Sequence, residues 1–174
     1  MDRSSTGYSL VELVVTIVLI ALLSAVAVPK FISLSQDSKA SALAGVASAM
    51  RSGLQMIYAK SSAVDQDGVS GTIVIDGVDI PLHNGYPAVD GDDGFEEINQ
   101  QVKAWLDIDS VPRDEAILNP TNATFFTDKS SASNWIFIFF TEDRAVKSTR
   151  FLCYVLYTNS GDEGPTVTIY SSDC

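Results

Sequence analysis

MDRSSTGYSLVELVVTIVLIALLSAVAVPK, residues 1–30, decides how the rest of the chain is read. A short polar leader ends in Gly7, and an apolar run follows. Its only acid is Glu12, and residues 13–29 carry no charge. A charged side chain inside a membrane-length segment is costly, so its presence points to a functional site. Residues 8–29 would make a helix about 33 Å long, enough to cross a hydrocarbon core of about 30 Å.

Two plainer readings compete. A secretory signal peptide has a basic start, an apolar stretch of about 7–15 residues and a small-residue cleavage site. Ser24, Ala25 and Ala27 could supply that site, but the run is too long, holds an acid, and has Asp2 beside Arg3 at its start. A simple transmembrane anchor leaves Glu12 unexplained. The spacing Ser9-x-x-Glu12 also fits a capping box, with Ser9 as N-cap, and an acid in the first turn suits the helix dipole.

The segment Gly7-Tyr8-Ser9-Leu10-Val11-Glu12-Leu13 resembles the prepilin cleavage motif of type IV pilins and type II secretion pseudopilins. The resemblance implies that a prepilin peptidase cuts between Gly7 and Tyr8, that Tyr8 becomes the N-methylated first residue, and that the apolar helix stays in the product. Glu12 then stands fifth in the mature chain and Pro29 twenty-second, positions at which this family commonly has a glutamate and a proline. Tyr8 and Ser9 stand where the family usually has phenylalanine and threonine. Cleavage would place an ammonium on Tyr8 about one turn from Glu12. In a staggered stack, Glu12 of one copy could meet the amine of the next.

Beyond Pro29 an amphipathic pattern continues through Phe31, Leu34, Ser38, Ala42, Val46, Met50, Leu54 and Ile57, spaced by threes and fours. The expected division is a cleaved leader (1–7), a transmembrane and assembly half-helix (8–29), an amphipathic half-helix (30–62) and a β-rich head (63–174). Pro29 should bend or loosen the helix, and Gly45 and Gly53 should weaken it by about 1 kcal/mol each. In the head, residues 69–75 and 78–82 flank Asp76-Gly77, a hairpin signal. Pro81 argues that the second of these strands lies at an edge or ends there. Residues 83–94 read as turns, and 95–106 as a short helix. Three further strands are expected at 134–141 (NWIFIFFT), 149–158 (TRFLCYVLYT) and 166–170 (TVTIY). The fold class is α+β: a long N-terminal helix packed on an antiparallel sheet, the type IV pilin fold in the light of the resemblance.

Charge narrows the partners. The 174-residue chain has net charge −11. Residues 30–60 carry four bases and one acid, whereas residues 61–174 carry six bases and nineteen acids. An acidic head repels phosphate backbones, so no nucleic-acid partner is expected. Catalytic patterns are sparse. His83 is the single histidine, and there is no Gly-x-Ser-x-Gly elbow or phosphate-binding glycine loop. No enzyme activity and no cofactor are expected. Asp90, Asp92 and Asp93 are calcium candidates of the weakest kind, since they do not fit EF-hand spacing and acids before a helix suit its dipole. Asn122-Ala123-Thr124 is a glycosylation sequon.

Cys153 and Cys174 are the two cysteines. Outside the cytoplasm they can form a disulfide; two unpaired thiols are the alternative. A C-terminal cysteine pair bounding a loop is also what type IV pilins show, and pseudopilins usually lack it. Residues 153–158 (CYVLYT), with Gly85-Tyr86-Pro87 upstream, are similar to the mannose-sensitive haemagglutinin class of pilins. The resemblance implies a helical homo-oligomer and an inner-membrane single-pass precursor. It also implies an inner-membrane assembly machinery and a filament that attaches to host or abiotic surfaces or serves motility. The alternatives are a type II secretion pseudopilin and a membrane-tethered extracytoplasmic binding module.

Overall fold

The computed structural model describes residues 9–89, 92–148, 150–160 and 164–174. It is α+β, with an N-terminal helix, two sheets built largely from antiparallel pairs, and a C-terminal disulfide. That is consistent with the type IV pilin fold. The chain divides into two compact units, Met1–Ser38 and Lys39–Cys174. The helix α1, Leu10–Ala63, is the only element described in the first and opens the second.

Helix α1 is assigned without a break through Pro29. It ends in a Schellman motif: Asp65 takes a left-handed φ of 54°, Gln66 N–H donates to the Ser61 carbonyl, and Asp65 N–H donates to that of Ser62. The side chain of Gln66 then accepts from Thr72 N–H and starts the first strand.

In the second unit the buried stripe of α1 is Leu43, Val46, Ala47, Met50, Leu54 and Ile57. The expected stripe is right at Val46, Met50, Leu54 and Ile57 and wrong before them. Phe31 and Leu34 are exposed, and so is Ala42, because counting in steps of four drifts off a 3.6-residue period, and Leu43 takes the inward position.

The smaller sheet has the order β1 (Gly71–Ile75), β2 (Val78–His83), β3 (Tyr86–Pro87). The β1–β2 hairpin turns at Asp76-Gly77, both with positive φ, as a two-residue connection requires. Asn84-Gly85 makes a second such turn, hidden in a segment that reads only as loop. Pro81 is not at an edge, since β2 is the middle strand and continues to His83. The physical reason is visible in the register. Thr72 and Pro81 face each other at a position where the missing N–H of Pro81 points away from β1. On the β3 side Ala88 N–H donates to Pro81 O, but Pro81 cannot return the bond, and β3 stops at Pro87.

Helix α2 (Phe95–Trp105) agrees with expectation. Glu97 reaches back to the N–H of Gly94 and closes its first turn. Strand β4 (Ser110–Pro112), helix α3 (Arg113–Leu118) and strand β5 (Phe125–Ser130) follow; none of the three stands out in the sequence. Then come β6 (Trp135–Phe140), β7 (Tyr154–Thr158) and β8 (Thr166–Tyr170). Strand β7 starts later than its apolar run, because the Ser148 hydroxyl accepts from Arg150 and Phe151 N–H and holds a turn there. The larger sheet has the order β4-β5-β6-β7-β8, antiparallel except for the parallel β4–β5 pair.

Alternation sorts the larger sheet into two faces. Phe125, Ile136, Ile138, Phe140, Val155 and Tyr157 join one core with the α1 stripe, α2 and the smaller sheet. Phe126, Phe139, Tyr154 and Leu156 form a second cluster on the opposite face, under Ala116 of α3.

The glycines in α1 differ sharply. A Cβ on Gly53 would stand 2.7 Å from the backbone oxygen of Trp105 and 2.8 Å from its ring, whereas one on Gly45 meets nothing within 4 Å. The end of α2 thus lies against α1 at Gly53. Gly53→Ala is expected to lose about 1–3 kcal/mol by overpacking. Gly45→Ala is expected to gain up to about 1 kcal/mol from helix propensity. Thermal unfolding of the detergent-solubilised chain measures both, and equal shifts would show that the close approach carries no cost.

Candidate processing and assembly sites

At the start of the described chain, Ser9 caps α1. Its hydroxyl accepts from Glu12 N–H at 3.2 Å, and its carbonyl accepts from Leu13 N–H at 3.1 Å. This satisfies part of the helix start and puts Glu12 in the first turn with an exposed carboxylate. Glu12 makes no ion pair among the described residues. Gly7 and Tyr8, the expected cleavage pair, lie outside the described residues. Pro29 sits in the helix with no interruption of its assignment. The exposed apolar side chains run from Leu10 to Leu23 and include Val14, Ile17 and Ile20, so they clothe α1 on all sides. A helix apolar all round belongs in an apolar medium or among other helices. Among the described residues, no helix is long and apolar enough to cross a membrane. The expected span over 8–29 therefore rests on the sequence, whose first residue there lies outside the described ones.

At the other end of the chain, Cys153 and Cys174 form a disulfide, with Cα atoms 4.9 Å apart. Cys153 is fully buried immediately before β7, and Cys174 follows β8. The bridge is flanked by a second tie: Leu152 N–H donates to the Asp173 carboxylate at 2.8 Å, and Asp173 N–H donates to Leu152 O at 3.1 Å. The last residues, which would otherwise fray, are thus held to the sheet.

Of the three calcium candidates, Asp92 and Asp93 are described. Asp93 accepts from the Gln101 side chain at 2.9 Å and so braces α2. Asp92 is exposed, and Asp90 lies outside the described residues. Among the described residues no three His, Cys, Asp or Glu side chains are grouped to hold a metal. His83 ends β2 with Nδ1 donating to Val69 O at 2.8 Å, while Nε2 lies 3.3 Å from the Asn84 amide. Both ring nitrogens are engaged in holding the turn. Asn122 of the sequon donates to Glu115 at 2.6 Å.

Sequence reading missed a polar clasp between the sheets. Asn159 is buried and donates to the carbonyls of His83, Tyr86 and Pro87. The Tyr157 hydroxyl donates to the same Pro87 oxygen at 2.7 Å. Burial raises the Tyr157 pKa far above that of a free phenol, so the hydroxyl keeps its proton and remains a donor. Asn134, in a left-handed turn, donates to Asn159 O and accepts from Val89 N–H. No advance signal marked the clasp, since Asn134 reads in the sequence as the first residue of the expected strand 134–141, whereas it takes a left-handed turn before β6. Missed as well was the Lys39 pairing. Its ammonium lies 2.8 Å from both Glu142 and Asp143 and 5.4 Å over the Phe140 ring. Burial opposes that charge, but the two carboxylates outweigh it and hold the ammonium above its usual range.

A family model, the prokaryotic N-terminal methylation motif, matches residues 2–28. No curated protein and no solved structure matches the chain. The chain carries the prepilin-type motif, which supports a type IV pilin- or pseudopilin-like protein, a structural and not an enzymatic kind. The motif implies cleavage by a prepilin peptidase, insertion in the inner membrane and assembly into a pilus.

Replacing both cysteines by serine is expected to cost about 3 kcal/mol, given the loop of about twenty residues that the bridge closes. Denaturant unfolding with and without reductant checks this: the unreduced chain should lose stability on reduction, and the double-serine chain should not respond.

Proposed function

We propose that the chain is the structural subunit of a type IV pilus that mediates attachment to host or abiotic surfaces, or motility. In this reading residues 1–7 are removed on the cytoplasmic side and Tyr8 is methylated. Residues 8–29 anchor the subunit in the inner membrane until it is drawn into the filament. There the apolar half-helices of many copies bundle, and the acidic heads form the outer surface. The observation that carries the reading is the motif over residues 2–28 with Glu12 fifth after the cleavage glycine. The disulfide at the end of the head supports a pilus subunit over a secretion pseudopilin, because it secures the kind of C-terminal loop that pseudopilins usually lack.

Glu12 is assigned to registration. In this reading the carboxylate near the helix start meets the new amine of a neighbouring copy as both leave the lipid. Leaving one partner of a desolvated pair alone costs about 3–5 kcal/mol, so a misregistered subunit is penalised strongly. Apolar burial contributes less selectivity, since the same side chains were already in lipid and gain only by packing.

Mass spectrometry of material sheared from the cell surface should find the chain beginning at methylated Tyr8. Recovery of a chain still starting at Met1, and never in fibres, would sink the filament reading. Glu12→Ala should insert in the membrane as before yet yield no filaments by electron microscopy; normal filaments from that variant would remove Glu12 from assembly.

A further inference from the structure

On the outer face of the larger sheet, a lysine and an aspartate far apart in sequence meet in an aromatic pocket. Lys147 follows the 3-10 turn Thr141–Ala145, and its ammonium contacts Oδ2 of Asp128 on β5. The Asp128 side chain is 6% exposed and that of Lys147 23%. Trp135, Phe137 and Phe139 line the cavity of about 240 Å³ beside them, and Lys147 lies 5.4 Å over the Phe139 ring. This is an expensive place for two charges, because burial penalises both and repays them only with excellent geometry.

The two carboxylate oxygens of Asp128 are not equivalent. Oδ2 faces the lysine. Oδ1 accepts from the Lys129 backbone N–H at 2.9 Å and lies 3.6 Å from Arg113 Nη1. One oxygen is thus next to an amine, and the other accepts one backbone hydrogen bond and faces the Arg113 guanidinium, a donor and a positive charge that favour a developing oxyanion. We propose that Asp128 and Lys147 condense spontaneously into a side-chain amide, an intramolecular isopeptide cross-link.

The step balances within the pair. One proton passes from the Lys147 ammonium to Oδ2 and leaves a neutral amine and a neutral acid, as desolvation of an ion pair favours. Burial, followed by the nearby Arg113 charge, pulls the Lys147 ammonium down to about 8, while the Asp128 carboxylate in contact with it favours the charged form. The nitrogen lone pair forms the N–C bond at the Asp128 carboxyl carbon, and the C=O electron pair moves onto Oδ1, beside the Lys129 N–H and facing the Arg113 charge. When the carbonyl re-forms, the C–Oδ2 bond breaks, and Oδ2 leaves as water carrying a second proton from nitrogen. One ammonium and one carboxylate become one amide and one water; nothing is oxidised or reduced. Groups held in contact reach effective concentrations of about 10⁵ M and above, which offsets the preference of free amines and acids in water to stay apart.

The link would fasten β5 to the segment beyond β6, while the disulfide fastens the β7–β8 end. It goes beyond the filament reading and stands or falls without it. The test is the intact mass of the full chain, purified in detergent, denatured and reduced. The expected mass is one water below that of the sequence after any N-terminal processing. Trypsin should then release residues 114–129 joined to residues 145–150, since a linked Lys147 is no longer a cleavage site. Lys147→Arg keeps the positive charge and should restore the full mass. A wild-type chain of full mass would overturn the proposal. So would a water-lighter chain without the joined peptides, the signature of a succinimide at an aspartate, or a deficit that persists in Lys147→Arg.

Discussion

The apolar stripe of α1 from Leu43 to Ile57 is the surface on which the rest of the head is assembled. Ile73 and Ile80 of the smaller sheet, Ile98 and Val102 of α2, and Ile138 and Val155 of the larger sheet share one buried cluster with it. Fully burying a side chain of this size contributes about 1.5–3 kcal/mol. Helix α2 shares the inner faces of both sheets with this stripe. A two-residue strand such as β3 has no stability of its own, and its place depends on what holds its neighbours. Gly53 belongs to the same constraint: the close approach of α2 to α1 exists only because that position has no side chain.

The larger sheet then has to manage its second face. Phe126, Phe139, Tyr154 and Tyr170 stand in register on four consecutive strands, with ring centroids 5.3, 4.9 and 4.9 Å apart. Such cross-strand aromatic pairs stabilise a sheet beyond their buried area. Helix α3 covers part of this face through Ala116, and the Asp128, Lys147 and Arg113 charges sit beside it. The seam between the sheets is held differently, by the amides of Asn134 and Asn159 and the hydroxyl of Tyr157. Buried polar groups of this kind specify an arrangement more than they add net stability, because leaving any one of them unbonded is costly.

The N-terminal segment obeys another logic. Its apolar side chains find no core within the described chain and remain exposed. In water that would be a liability; an apolar medium or neighbouring helices would cover it. The head, by contrast, can tolerate its many acids, since most of the described ones are exposed to water.

The sequence by itself determined what local rules determine. The prepilin-type motif, the long helix, the Asp76-Gly77 hairpin, α2 and the runs that become β6 and β8 all follow from spacing, turn chemistry and alternation over a few residues. Strand β5 stayed hidden because Asp128 and Lys129 break its apolar pattern, and their partners lie elsewhere in the chain. Pro81 misled because an edge is one way to spare a missing N–H, and a register that turns it away from the neighbouring strand is another. Phe31 and Leu34 share a pattern with Met50 but not a partner, and a helix pattern cannot say where its core begins. The tertiary structure alone decided the division into two sheets, the clasp at Asn159, and the meeting of Lys147 with Asp128. Each of these joins residues distant in sequence, and such contacts depend on how the elements pack, not on any run of neighbours.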